Sequence, residues 1–219
     1  MGVFDLFKRK KGNQRENNTF KEYYESGQLK IEKKQIQFSG YEKEKWVNNK
    51  WVQKTYYENG ELNSEGIITD DGYSNEYPVN YWKYYYDNGQ LESEGNYSFN
   101  PVITNNWWTE EGLWKYYYRN GNLKMEGELE FNGLMGVSKK GYWKFYYENG
   151  NLKMEGDLFG DHSFSKEITE SGLWKFYHEN GKLFNEGKYT EGKREEIWKV
   201  FSEEGLLTSK ITYKNGEIV

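Results

Sequence analysis

The sequence predicts an all-β chain, an array of antiparallel β-hairpins, and three observations carry that prediction. The first is recurrence. GYWKFYYENGNLKMEG at Gly141 to Gly156 is written again, nearly unchanged, at Trp82 to Gly95, Gly112 to Gly127 and Gly172 to Gly187, with looser copies at Phe20, Trp51 and Trp198. Self-similarity of this kind marks a repeat architecture. The second is turn chemistry: the copies centre on Gly27, Gly60, Gly89, Gly121, Gly150, Gly181 and Gly205, with a partial eighth on Gly216, and most of these glycines follow asparagine. Asn-Gly accepts positive φ at both central residues of a type I′ turn, which joins two right-twisted strands. The third is composition, with 19% aromatics inside a hydrophobic total of only 35%. Tyrosine and tryptophan must then supply most of the buried area, which suits hairpins that bury a face against their neighbours better than a compact α/β core.

A two-residue Asn-Gly loop fixes a register. In the Gly150 copy it sets Tyr147 opposite Leu152, Phe145 opposite Met154, Lys144 opposite Glu155 and Trp143 opposite Gly156. Lys-Glu matches recur as Lys21 with Glu32, Lys54 with Glu65, Lys83 with Glu94, Lys115 with Glu126 and Lys175 with Glu186. Trp-Gly matches recur as Trp82 with Gly95, Trp114 with Gly127 and Trp174 with Gly187. A slip of one residue would break all of them together. Alternation then puts Trp143, Phe145, Tyr147 and Leu152 on a buried face. Lys144, Tyr146 and Glu155 fall on the other, where a tyrosine column runs Tyr23, Tyr56, Tyr85, Tyr117, Tyr146 and Tyr177, with Phe201 in the last full copy.

From the start, residues 1–18 read as a basic amphipathic or flexible tail and residues 19–219 as the array of seven hairpins plus the partial eighth. In the tail, Val3, Phe4, Leu6 and Phe7 precede Lys8, Arg9, Lys10 and Lys11. That pattern suits a weak membrane-surface contact through Phe4, Phe7 and the basic cluster Lys8, Arg9, Lys10 and Lys11, or a cap over the first hairpin. The first copy is degenerate, with Phe20 for Trp and Lys33 for Gly, as terminal repeats often are. The links between copies vary most. GKYTEGKREEIW, Gly187 to Trp198, reads as a compact strand, a tight turn at Glu191-Gly192 and a return. NYSFNPVITNNWWTEEG, from Asn96, and DLFGDHSFSKEITESG, from Asp157, read as extended strands that project longer loops. Leu207 to Tyr213 serves both the seventh and the eighth hairpin.

A net charge of −5 removes any global pull toward nucleic acid, and the absence of cysteine removes disulfides, thiolate metal sites and a cysteine nucleophile. No apolar run reaches the length of a membrane-spanning helix, and the first residues lack a signal-peptide core, so a cytoplasmic location is expected.

The pattern G-x-W-K-x-Y-Y-x-N-G-x-L-x-x-E-G, as it stands in Gly112 to Gly127, Gly141 to Gly156 and Gly172 to Gly187, resembles the MORN repeat in its bacterial second variant. It is similar to the repeats of YwqK-type antitoxin components of toxin-antitoxin systems. The resemblance implies an elongated, single-layer antiparallel sheet used for protein contacts, and a partner that is a toxin.

Catalytic chemistry is scarce. The histidines are His162 in a link and His178, which stands where Tyr86, Tyr118 and Tyr147 stand in other copies and is therefore structural. The recurring glutamates have lysine partners. No metal-ligand spacing is present, no cofactor is expected, and the reading is a non-enzymatic protein-binding module. The alternatives are a membrane-peripheral scaffold held by the tail and a carbohydrate-active or carbohydrate-binding protein. Partner contact is expected first at the link residues Phe99, Trp107 and Trp108, because adjacent tryptophans in a strand point to opposite faces. The tyrosine column Tyr85, Tyr117, Tyr146 and Tyr177 comes second.

Overall fold

The computed structural model describes residues 14–16, 18–36, 50–70, 75–100, 107–131, 136–159 and 169–219. Its strands are β1 Gln14–Glu16, β2 Thr19–Tyr23, β3 Leu29–Ile36, β4 Lys50–Tyr56, β5 Leu62–Asp70, β6 Glu76–Tyr85, β7 Leu91–Asn100 and β8 Trp107–Tyr117. They continue as β9 Leu123–Phe131, β10 Val137–Tyr146, β11 Leu152–Phe159, β12 Thr169–Tyr177, β13 Leu183–Thr190, β14 Lys193–Phe201, β15 Leu207–Lys214 and β16 Glu217–Ile218. All lie in one 16-stranded antiparallel sheet whose spatial order is the sequence order. At about 4.8 Å per strand, this single layer runs for about 70 Å. The sheet begins earlier than Phe20, because β1 folds back on β2 about Asn18, whose φ is 61°. The tail residues Phe4, Phe7, Lys8, Arg9, Lys10 and Lys11, and His162, lie outside the described residues.

The predicted register holds through most of each hairpin: Trp143 faces Gly156, Lys144 faces Glu155 and Phe145 faces Met154. It changes at the turn. Tyr146, and not Tyr147, faces Leu152, with the pairing shifted after Phe145. The cause is the loop. Gly150 donates its N–H to the Tyr147 carbonyl at 2.9 Å, and Tyr147 donates to the Asn151 carbonyl at 2.8 Å. Gly150 has φ 90° while Asn149 is not in the left-handed region. This is a three-residue loop, a type I turn closed by a glycine bulge, in place of the expected two-residue type I′ turn. The same geometry recurs at Gly27, Gly60, Gly89, Gly121, Gly181 and Gly205. Type I′ turns occur at Glu191-Gly192 and Asn215-Gly216, where both residues have positive φ. The compact link and the shared use of β15 are thus as the sequence predicts.

The asparagines have a different task from supplying positive φ. Asn149 accepts from the Asn151 N–H at 2.9 Å and donates to the Glu179 carbonyl of the next turn at 3.0 Å. Asn59, Asn88, Asn120 and Asn180 repeat that step to Asp87, Arg119, Glu148 and Glu203. The residue that opens each turn forms a parallel ladder. Tyr24, Tyr57, Tyr86, Tyr118 and Tyr147 donate their hydroxyls to the carbonyls of Tyr56, Tyr85, Tyr117, Tyr146 and Tyr177 in the following hairpin. His178 continues it, its Nε2 at 3.1 Å from the Phe201 carbonyl, which makes its role structural.

The core is the tryptophan column. Trp114, Trp143, Trp174 and Trp198 are at most 1% exposed. Two residues before each stands a residue in the left-handed region, Gly112, Gly141, Gly172 and Glu196, with Asn80 before Trp82. There the pairing to the preceding hairpin shifts register, as between Lys140 and Lys144. This bulge explains the first glycine of the motif. It lets each indole lie back over the preceding hairpin, where Trp82, Trp114, Trp143, Trp174 and Trp198 donate to the carbonyls of Ile67, Asn96, Glu128, Asp157 and Lys188. A Cβ at Gly156 would come closer than 3.0 Å to the Trp174 indole, and Gly66, Gly95, Gly127 and Gly187 stand in the same relation to Trp82, Trp114, Trp143 and Trp198. The glycines facing Trp82, Trp114, Trp143 and Trp174 across their own hairpins therefore each receive the tryptophan of the next. Burying 150–250 Å² per indole contributes roughly 4–6 kcal/mol as an upper figure, against at most about 1 kcal/mol for a Lys-Glu pair.

Candidate partner-binding face

Each strand that carries a buried tryptophan turns its neighbours to the opposite surface. In β10 these are Tyr142, Lys144 and Tyr146. Tyr85, Tyr117, Tyr146 and Tyr177 donate their hydroxyls to Glu65, Glu94, Glu126 and Glu155 of the preceding hairpin at 2.6–2.8 Å. The structure thus brings the predicted tyrosine column onto one face. Burial, and then the hydrogen bond to a glutamate, hold all four phenols well above the usual tyrosine range, so they stay neutral donors. The glutamates take two sets of partners, since Glu65 and Glu126 also meet Lys54 and Lys115 at 3.1 and 3.9 Å.

Beside this column runs a second row that the sequence reading treated as a variable position. It consists of Val52, Tyr81, Leu113, Tyr142, Leu173 and Ile197, one residue per hairpin and 37–55% exposed. All but Val52 directly precede a tryptophan that packs back on the preceding hairpin, so alternation forces them outward; Val52 precedes Gln53, which stands at the same register position. Burial, and then hydrogen bonds to Glu94 and Glu155, push Tyr81 and Tyr142 up to about 12. Those are the glutamates that Tyr117 and Tyr177 also use, so the two rows are tied together. The row was legible in the second position of G-x-W, which is apolar or aromatic in every copy from Val52 onward, where a polar surface residue would be ordinary; the degenerate first copy has Thr19 there.

The other predicted contacts fare differently. Phe99 pairs with Trp108, and Asn100 with Trp107, at the outer ends of β7 and β8. The link therefore extends the strands as expected, while the side chains of Phe99, Trp107 and Trp108 lie outside the description. The tryptophan column is closed to a stacking ligand. Its surface also holds charged groups near the aromatics. The Lys139 ammonium lies 4.7 Å from the Trp143 ring centre, and burial lowers its pKa. Arg194 lies 4.4 Å from that of Trp198. Glu110, approached by the Tyr97 hydroxyl at 3.4 Å, is raised by burial.

A family model described as a MORN repeat variant matches residues 16–34, 52–68, 79–98, 110–130, 139–158 and 170–191, together just over half of the chain. The chain belongs to the MORN repeat variant family. The six matched segments follow the first six hairpins, and repeats of this family are in general protein- or membrane-binding modules. No curated protein matches this MORN chain. Among solved structures, a chain in the crystal structure of TcdB2-TccC3-Cdc42 is similar over 88% of this chain at 13% identity and a TM-score of 0.21. The MORN chain spans 12% of that chain's length, a likeness too distant to bear on fold or function.

Proposed function

We propose that this MORN chain is a non-enzymatic, cytoplasmic protein-binding module that holds its partner on the face carrying Tyr81, Leu113, Tyr142, Leu173 and Ile197. The observation that supports the reading is the row itself, apolar and exposed across six successive hairpins in register with the tyrosine column. At two strands per step the row is about 50 Å long. With the tyrosines beside it, about 15 Å across, it offers on the order of 800 Å², one partner's share of a standard interface. Rigid tyrosines anchored to glutamates add contact area at little entropic cost. The finer reading is that the partner is a toxin and the chain its antitoxin or immunity protein, which rests on the repeat resemblance.

Leu113→Asp combined with Leu173→Asp tests the face. Both positions are exposed, so the melting temperature should hold, while co-purification of the partner from the native cell should be lost. Retention of the same partner by the double variant would overturn the face. Growth rescue from a toxin encoded next to this gene, by the wild type and not by the double variant, is the result expected of the antitoxin reading.

A further inference from the structure

The exposed row is periodic as well as apolar. Lys83, Lys115, Lys144 and Lys175 lie in one unbroken line across the strands, joined through Glu94, Glu126 and Glu155. Tyr81, Leu113, Tyr142 and Leu173 each stand two residues before a lysine of that line, so they recur once per hairpin, at two strand spacings or about 9.6 Å. Their cross-strand partners Asn96, Glu128, Asp157 and Lys188 are exposed between them. Lys188 is already paired with Glu196 at 2.6 Å. Lys140, which faces Glu128 from the next hairpin, bonds Glu130 instead, and Asp157 faces Ser171, so neither carboxylate forms an ion pair among the described residues. The stretch from Leu113 to Leu173 is thus an apolar row interrupted by two uncompensated acids.

The backbone beneath the row has nothing left to offer, since every strand from β6 to β13 is paired on both sides. The tyrosine column gives its hydroxyls to glutamates. An occupant must therefore carry a backbone that is bonded internally or solvated, which leaves an α-helix or a polyproline II helix. Period separates the two. A polyproline II helix has three residues per turn at 3.1 Å each, so one of its faces recurs every ~9.3 Å. An α-helix brings the same face round every seven residues, about 10.5 Å. Over the three steps from Tyr81 to Leu173 the polyproline helix falls about 1 Å short of the row, and the α-helix overshoots it by about 3 Å.

We propose that the partner presents a basic, proline-rich segment in polyproline II conformation, laid across the strands with every third residue an apolar one on Tyr81, Leu113, Tyr142 and Leu173, and with arginines between them on Glu128 and Asp157. Proline rings pack on aromatic and aliphatic side chains without asking for hydrogen bonds, and the conformation is preformed, so little entropy is lost on docking. The proposal rests on the reading of this face as the partner surface and names the chemistry of what it holds.

The probe is a dodecapeptide of four Pro-Arg-Pro units. Titrated into the full chain, it should shift the amide resonances of Tyr81, Leu113, Tyr142 and Leu173 and bind roughly fivefold tighter than the same peptide with glutamate for arginine. Glu128→Lys combined with Asp157→Lys should invert that preference at an unchanged melting temperature, because both side chains are exposed. A glycine inserted after each unit, which breaks the three-residue period, should weaken binding roughly tenfold. No binding, equal affinity for the spaced peptide, an arginine preference that the lysine variants leave unchanged, or tighter binding of a leucine-heptad helix of the same charge would each overturn the proposal. Failure of the peptide while Leu113→Asp with Leu173→Asp still loses the native partner would leave the face standing and reject this occupant. Retention of both the peptide and the native partner by that double variant would reject the face itself.

Discussion

The junction between β11 and β12 and the junction between β3 and β4 join hairpins of the same kind by different means. At the first, Gly172 has positive φ, the pairing shifts between Glu155 and Asp157, and Trp174 lies over Gly156 with its N–H on the Asp157 carbonyl. At the second all three features are missing together. β3 and β4 pair from Ile31–Thr55 to Ile36–Lys50 without a shift, Lys33 stands where the glycine should be, and Gln53 faces it where the tryptophan should be. Trp51, which looks like the repeat tryptophan in the sequence, sits two residues away, opposite Gln35. Lys33 uses the space itself, with its ammonium 5.6 Å from the Phe20 ring centre and ion-paired to Glu76. Glycine, bulge and tryptophan therefore form one unit. A glycine left in one hairpin has value only when the next supplies an indole and the bulge that lays it back.

The widest gap between the two junctions should appear on truncation. Trp174→Ala should cost about 3–5 kcal/mol in urea unfolding, and Gln53→Ala within about 1 kcal/mol. Equal losses would mean that the indole is not what couples hairpins. Rebuilding the loose junction sharpens the point. Gln53→Trp alone should destabilise by about 1–3 kcal/mol, because Lys33 fills the slot, and adding Lys33→Gly should recover part of that loss. Additive costs would show that the bulge, which β3–β4 lacks, is required before the pair can form.

The turn ladder is shared by both kinds of junction and should be indifferent to the difference. Tyr147→Phe, next to a tight junction, and Tyr24→Phe, at the loose one, each remove a hydroxyl that donates at 2.8–2.9 Å and should each cost about 0.5–1.5 kcal/mol. The smallest effect is electrostatic. The tight β7–β8 junction half-buries Glu110, whose pKa burial raises above 4.5. Its ionised form is thus disfavoured in the fold, and stability rises as the pH falls through the folded value toward the unfolded one. Glu110→Gln should melt slightly higher than the wild type at pH 7, and the difference should close below about pH 4.5. A gap that widens on acidification would contradict the assignment.

Much of this was legible in the sequence. Recurrence gave the hairpin count, and the register counted from the Asn-Gly turn and matched by the recurring lysine-glutamate pairs holds from Trp143 to Phe145. The turn type was not, since Asn-Gly serves a type I′ turn and a bulged type I turn alike, and the added loop residue shifts Tyr147 out of the strand. The direction of the tryptophan was hidden for a related reason. Gly156 faces Trp143 in register and lies under Trp174, so the same spacing fits contact within a hairpin and contact between hairpins. The joint replacement at Lys33 and Gln53, and Ile211 opposite Trp198 where Gly187 is kept, separate the two in the sequence. The exposed row from Val52 to Ile197 was passed over because it occupies the unspecified position of the motif, and its regularity becomes visible once the bulge places it beside the tyrosines.

The central claim is that each motif glycine is reserved for the tryptophan of the next hairpin, and one pair of double-mutant cycles tests it. Gly156→Ala should cost about 1–3 kcal/mol in the wild type by crowding the indole above it. That cost should persist in a Trp143→Leu background and largely disappear in a Trp174→Leu background. If it disappears with Trp143→Leu and persists with Trp174→Leu, the contact lies within the hairpin, and the tryptophan column does not join one repeat to the next.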